Sequence, residues 1–290
     1  MSTTISFQGE LGAYSHLACS HVFPHSEVIP CPSFAEALTC VTSGRSEKCL
    51  VPVENSVAGR VGGLHRLMPD ANLFVTGEYF QPIHHVLMAD PSAKIENLRE
   101  VWSHPQALAQ CRKTLEAMNL TPVAHADTAG AARQLSQEQL KHVGVIASEM
   151  AAKTYGLKSI QTHVEDSSHN MTRFLILGRQ PLSHDKVSSK KAVTSFIFRL
   201  RSVPAALYKA LGGFATNGIN LTRIESYLEG GSFEAARFYI DAEGHITSPS
   251  MKLALDELKF FCEEDGIQWL GTYPAHPLRH SRMNEITSSN

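Results

Sequence analysis

The sequence predicts an α/β protein in two parts, and three observations carry that reading. Over the first 180 residues, short apolar runs alternate with segments of helical period, as strands and helices do in an α/β domain. A polar stretch, Gln180–Lys191 (QPLSHDKVSSKK), then breaks the pattern. Beyond it the elements follow the order βαββαβ of a compact ferredoxin-like unit. The boundaries follow: a first domain at 1–180, a linker at 181–192, a second domain at 193–272 and a polar tail at 273–290.

The elements are taken in chain order. Strand Ile5–Gln8 enters Gly9-Glu-Leu-Gly12-Ala-Tyr-Ser15, which opens helix Ala13–Val22. That turn lacks the third glycine of a dinucleotide fingerprint, so a plain strand-to-helix connection explains it equally well. Helix Ser33–Thr42 precedes strand Cys49–Val53, and helix Gly62–Leu67 follows. Strands Leu73–Phe80, His85–Met88 and Val101–Trp102 lead to helix Pro105–Met118. There Ser103 reads as the N-cap and Gln106 completes an S-x-x-Q capping box. Strand Thr121–His125 runs into Asp127-Thr128, with Thr128 the expected cap of helix Ala129–Gln137. Strand Val143–Ile146, helix Ser148–Tyr155 and strands Ser159–Val164 and Arg173–Leu177 complete the first part. The second part reads as Val193–Leu200, helix Pro204–Thr216, Ile219–Leu228, Phe233–Ala242, helix Ser250–Glu264 and Ile267–Gly271.

Composition excludes several classes of function. Of 290 residues 43% are hydrophobic, and 26 Lys and Arg against 28 Asp and Glu leave a net charge of −2. That balance argues against nucleic acid or an anionic membrane as partner. No apolar run approaches the roughly 18 residues of a membrane span, and the first residues carry no basic-then-apolar signal. A cytoplasmic chain is expected. The six cysteines (19, 31, 40, 49, 111 and 262) have no C-x-x-C spacing, so they read as reduced, buried thiols. His276 and His280 are four apart, but Pro277 intervenes and the surroundings are polar. No metal is expected.

Chemistry gathers where strands end. Glu54, Asn55 and Ser56 place a carboxylate, an amide and a hydroxyl at one strand terminus. They could read a small polar ligand, or simply cap the next helix. Gln110 lies seven residues beyond Ser103 and therefore on the same helix side, which capping does not explain. In Asn170-Met-Thr172-Arg173-Phe174 a hydroxyl stands beside a guanidinium, a pair suited to an acidic substrate.

The segments ISFQGELGAYS, PVENSVAG, SHPQALAQC, DTAGAA and NMTRF, in this order and spacing, resemble prephenate dehydratases. The βαββαβ unit, with PAALYKALGGFATNGINLTRIES at 204–226, resembles the regulatory ACT domain of the same enzymes. The likeness runs from about residue 5 to 272. It implies a two-lobed catalytic domain of the type II periplasmic-binding-protein kind, with the chain crossing between lobes near Phe80–Pro82 and near Ser159–Val164.

By that resemblance the substrate is prephenate, which loses water and CO2 to give phenylpyruvate on the way to L-phenylalanine. Aromatisation of the ring supplies driving force, and no cofactor is needed. Thr172 is then the catalytic hydroxyl, and Glu54, Asn55, Ser56, Ser103, Gln110, Thr128 and Arg173 hold substrate. His169 is a further titratable candidate. An amino-acid effector, L-phenylalanine first, would contact Ala205, Ala206, Leu207, Asn217, Gly218, Asn220, Leu221, Glu225 and Ser226. The family pattern there is P-G-A-L and E-S-R-P. Here Ala205 stands for the glycine, and Tyr227 and Leu228 for the Arg-Pro, so altered affinity or weaker inhibition is expected. A homodimer or homotetramer is implied. The rivals are an arogenate dehydratase, and a two-lobed carboxylate or amino-acid sensor without turnover.

Overall fold

The computed structural model describes residues 3–188, 191–228 and 235–279. Linker residues 189 and 190, the start of the expected strand at Phe233, His280 and the rest of the tail lie outside the described residues. The chain divides into two units: residues up to 64 with 79–174, and 65–78 with residues from 175 onward.

In the first unit, β1 (Thr4–Gln8) leads through α1 (Tyr14–Val22) to β2 (Glu27–Cys31), and through α2 (Phe34–Thr42) to β3 (Lys48–Asn55). Strand β1 pairs in parallel with both β2 and β3. Strand β2 went unforeseen because Pro30 interrupts it; it lies at the sheet edge, where a missing N–H is tolerated. The chain then turns back in β4 (Gly59–Arg60), which pairs Asn55 with Gly59, and enters the short helix α3 (Leu64–Leu67). Strand β5 (Phe74–Pro82) and a late strand, described below, join this sheet.

The chain next builds a second sheet. Its members are β6 (Val86–Ala89), β7 (Glu100–Ser103), β8 (Thr121–Ala124), β9 (Val143–Ala147) and β10 (Lys158–Thr162), in the order β10-β6-β9-β7-β8. The connecting helices are α4 (Pro105–Gln110), α5 (Arg112–Ala117), α6 (Thr128–Glu138) and α7 (Glu149–Tyr155). Alternation along β6 builds both faces: Leu87 and Ala89 pack with Leu108, Cys111 and Leu115, while Val86 and Met88 pack with Ala131, Leu135 and Ala151. The chain returns in β11 (Met171–Gly178), giving the first sheet the order β2-β1-β3-β11-β5.

The helix expected over Pro105–Met118 breaks at Cys111, whose backbone leaves helical geometry (φ −118°, ψ 19°). The break frees the Gln110 carbonyl to accept the Asp166 N–H at 2.7 Å, and the Asp166 carboxylate accepts the Lys113 N–H at 3.1 Å. The returning segment is thereby fastened to the helix that carries Gln110.

In the second unit, β12 (Ala192–Leu200), α8 (Ala206–Thr216), β13 (Leu221–Leu228), β14 (Ala235–Glu243), α9 (Pro249–Phe261) and β15 (Cys262–Pro274) form an antiparallel sheet ordered β13-β14-β12-β15. Phe196, Phe198, Phe214, Ile240, Met251 and Leu258 make the core between sheet and helices. Helix α8 starts from Ala205, whose φ of 59° lies in the left-handed region. An L-residue carries a cost of roughly 1–2 kcal/mol there.

The opposite sheet face is polar and buried. Asp241, fully buried, accepts from Tyr239 Oη at 2.6 Å and from Ser195 Oγ. Glu78 on β5 takes a two-pronged bond from Arg279, at 2.5 and 2.8 Å, plus the His276 N–H at 2.9 Å. Arg279 also donates to Thr222 Oγ1 at 2.8 Å. Residues 273–279, drawn as tail, are thus packed: Tyr273 is buried, and the Arg279 side chain is only 8% exposed. Removing one partner of a buried pair leaves the other charge uncompensated and costs about 3–5 kcal/mol. Arg279→Leu should therefore lower stability by about that amount in urea titrations. A loss under about 1 kcal/mol would show the pair to be solvated.

Candidate active site

Within the first unit a cavity of about 470 Å³ opens between the two sheets, a size suited to a small molecule. The end of β3 supplies Asn55, β4 Arg60, the first residue of α1 Tyr14, and the approach to β6 His85. The N-termini of α4 and α6 give Gln106 and Thr128, and the returning strand gives Asn170, Thr172 and Phe174.

One chain of hydrogen bonds runs along this wall, and backbone groups set its direction. Asn55 Oδ1 accepts the N–H groups of Val57 (3.1 Å) and Ala58 (2.8 Å), so its Nδ2 must be the donor on the other side. Nδ2 donates to Asn170 Oδ1 at 2.8 Å and to Thr172 Oγ1 at 2.9 Å. With its oxygen thus assigned, Asn170 donates through Nδ2 to Gln110 Oε1 at 2.9 Å. The same oxygen lies 2.8 Å from His85 Nε2, which therefore carries the ring proton. His85 Nδ1 is then the acceptor for Tyr14 Oη at 2.6 Å. Thr172 Oγ1 only accepts within this set, so its own proton is available to a group in the cavity.

Burial reinforces that polarity. The His85 imidazole is pushed down from its ordinary value by burial, against smaller raising effects from Gln110 and Glu165, and so stays neutral. Burial likewise raises the Tyr14 phenol well above its usual range. Burial also pushes the Glu165 carboxyl up, but hydrogen bonds from His84 and the His85 amide outweigh it and the net shift is down.

The expected residues separate into two sets. Asn55, Gln110, Thr128 and Thr172 line the cavity. Glu54 is exposed, on the β3 stretch that pairs with β4. Ser56 is a clip: its Oγ donates to the His169 carbonyl at 2.8 Å and accepts the Met171 N–H at 2.9 Å. His169 contributes that carbonyl, and its ring is not part of the cavity wall. Ser103 is fully buried and donates to the Ile146 carbonyl at 2.6 Å, so it braces β7 against β9 beneath the site. The α4 cap is instead His104, whose Nδ1 accepts the Gln106 N–H, and the α6 cap is Asp127 rather than Thr128. Arg173 follows Thr172 on the strand and so points to the other face, where it is buried. The arginine among the residues that line the cavity is Arg60.

Sequence reasoning missed Tyr14, Arg60, His85 and Asn170 as wall residues. Tyr14 and Asn170 stood inside quoted motifs, but nothing local distinguished them from structural positions. His85 gave no signal, because its partners are 71 and 25 residues away.

A matching family model, prephenate dehydratase, covers residues 5–182. A bifunctional N-acyl-homoserine lactone acylase/prephenate dehydratase of Komagataeibacter europaeus is 44% identical over 275 residues, which cover 95% of this chain and 97% of that protein. The chain belongs to the prephenate dehydratase family. An arogenate dehydratase/prephenate dehydratase of Arabidopsis thaliana, chloroplastic, is 37% identical, covering 93% of this chain and 72% of that one. The structure of the Arthrobacter aurescens prephenate dehydratase in complex with L-Phe superposes with a TM-score of 0.83, at 26% identity, over 99% of both chains. The fold is accordingly that of these dehydratases, type II periplasmic-binding-like with a C-terminal domain. Residues beyond 182 lie outside the span of the family model. No described helix is long and apolar enough to cross a membrane.

All six cysteines are free and buried. Burial pushes Cys19, Cys31 and Cys111 up to about 12 and Cys262 up to about 11, far from thiolate at neutral pH. A disulfide-exchange reagent at pH 8 should leave the native protein largely unmodified and titrate six thiols after denaturation. Rapid native labelling, or loss of activity in a folded Cys111→Ala variant, would bring a thiol back into the chemistry.

Proposed function

We propose that this chain is a prephenate dehydratase, removing water and CO2 from prephenate to form phenylpyruvate. One observation carries the reading: Thr172 lines the cavity and accepts from Asn55 Nδ2, which leaves its proton for a cavity ligand. The substrate's ring hydroxyl must leave with an electron pair while the carboxylate on the opposite carbon departs as CO2. That carbon–carbon bond supplies the pair that completes the aromatic ring. A hydrogen bond from Thr172 stabilises the departing hydroxide, which takes up one proton from solvent to become water. Arg60 offers a fork to a substrate carboxylate, and the first N–H groups of α6 at Thr128 offer a second anion-binding position. The neutral side chains of the relay bring no charge that would favour the ground-state dianion.

Turnover of prephenate to phenylpyruvate, followed by absorbance, tests the proposal directly. Thr172→Ala should lower kcat by about 10²–10⁴-fold with little change in KM, and Thr172→Ser should keep much of the activity. Asn55→Asp keeps the shape but replaces the donor by an acceptor; kcat should fall about a hundredfold through lost orientation. Arg60→Ala should raise KM by roughly 10–100-fold, the value of a charged hydrogen bond. Unchanged kinetics in Thr172→Ala would remove that hydroxyl from the mechanism, and binding of prephenate without conversion would favour the sensor.

Relatives named as arogenate dehydratases make the amino-acid form of the substrate the first competitor, and comparing kcat/KM for both decides. An acylase activity like that named for the Komagataeibacter relative is a second reading. A neighbouring space of about 860 Å³, sharing Tyr14, Ser15, Asp127 and Thr128 with the cavity, favours it, because an acyl chain needs such room. Release of homoserine lactone from an N-acyl substrate by the same preparation tests it.

The C-terminal unit we assign as an ACT domain that takes an amino-acid effector, L-phenylalanine first. Its expected contacts divide between the two ends of α8: Ala205, Ala206 and Leu207 at the start, Asn217, Gly218, Asn220 and Leu221 at the finish. Eleven residues of helix separate these ends by about 16 Å, too far for one amino acid to bridge. A shared site therefore draws its two halves from two copies, which supports a homo-oligomer. Glu225 and Ser226 lie on β13, with Glu225 held by Arg223. Ala205→Gly should relieve about 1 kcal/mol of left-handed strain and strengthen phenylalanine inhibition, read from melting curves and dose–response. An unchanged response would show that residue 205 does not shape the effector site.

A further inference from the structure

His84, His163 and Glu165 stand together beside the candidate site but outside its relay. His84 Nδ1 lies 2.8 Å from Glu165 Oε1, and His163 Nδ1 lies 3.3 Å from the same oxygen. The three ligand-type atoms fall within 4.8 Å of one another. The two rings lean together with centroids 4.3 Å apart. We propose that His84, His163 and Glu165 form a binding site for one borderline divalent cation, Zn²⁺ first among them.

Several features suit a metal better than a plain hydrogen-bonded cluster. Glu165 is almost wholly buried, and its second oxygen accepts the His85 N–H at 2.8 Å, which fixes the first oxygen toward the imidazoles. His163 holds a left-handed backbone, φ 54°, which an L-residue adopts at a cost and which brings its ring to this oxygen. Bonds of about 2.0–2.1 Å to nitrogen and oxygen place tetrahedral ligands about 3.3 Å apart, near the 2.8 and 3.3 Å that separate Glu165 Oε1 from the two imidazole nitrogens. Both imidazoles are partly exposed, so a fourth position faces solvent. Two nitrogens and one carboxylate select Zn²⁺, Co²⁺ or Ni²⁺ over Mg²⁺, which demands oxygen ligands. Because Glu165 also holds the backbone of His85, an ion here would lock the segment that carries a relay residue.

The test is calorimetric titration of chelator-treated full-length protein with Zn²⁺ and, separately, Mg²⁺. Wild type should bind a single Zn²⁺ with micromolar or tighter affinity and show no response to Mg²⁺. His84→Ala keeps the backbone carbonyl that lies 3.1 Å from Tyr14 Oη, and His163→Asn keeps a residue tolerant of the left-handed backbone. Each should weaken Zn²⁺ binding by at least about tenfold, the minimum for disturbing a metal's surroundings. Urea titrations in chelator check that both variants remain folded. Undiminished Zn²⁺ affinity in both folded variants would place the ion elsewhere and overturn the assignment, as would the absence of Zn²⁺ binding by wild type.

Discussion

The candidate site depends on the orientation of one side-chain amide, that of Asn55. Two backbone N–H groups, of Val57 and Ala58, claim its oxygen, and from that point no member of the relay has a choice of roles. Asn170, Gln110, His85 and Tyr14 are each fixed as donor or acceptor by the neighbour before them. Amides and neutral imidazole normally present either end to a partner. Here a two-residue turn at the end of β3 removes that freedom for side chains drawn from Tyr14 to Asn170. The outcome at Thr172 is a cavity-lining hydroxyl that accepts from Asn55 and leaves its own proton uncommitted within the relay.

Holding that orientation requires the returning strand to be placed accurately. Ser56 does this from one side by closing a two-bond clip on residues 169–171. The break in the helix at Cys111 does it from the other, because only an interrupted helix leaves the Gln110 carbonyl open to Asp166. Ser103, fully buried, supports the floor through Ile146. These residues have the chemistry of ligand-binding groups but act as scaffold, which explains why their motif is recognisable while their side chains do not reach the cavity.

The alternating pattern made the fold class legible, and the caps at Ser33, Ser148 and Ser248 stand where helix starts were expected or one to two residues before. Asn55, Gln110, Thr128 and Thr172 were legible because each sits at a strand or helix end within a distinctive motif. His85 and Arg60 were not, since their place depends on contacts made across the fold rather than on local period. Arg173 shows the opposite error. Its guanidinium beside a hydroxyl suggested carboxylate binding, yet strand alternation sends neighbours to opposite faces. The rule that predicts a strand there also separates Arg173 from Thr172.

The buried polar face of the second unit poses a different problem, because its cost must be offset within the unit itself. Asp241 and Glu78 are both inaccessible carboxylates, and desolvating two such groups is expensive unless each finds partners. Tyr239 and Ser195 donate to Asp241 with Tyr273 bonded to Ser195, while Arg279 grips Glu78 and Thr222 at once. Arg279 thus ties the end of the described chain to β5 and β13 together. What the network adds is register: Asp241 is satisfied from β12 and β14 and Glu78 from residues 276–279, and a shift in any of these leaves a buried charge short of partners.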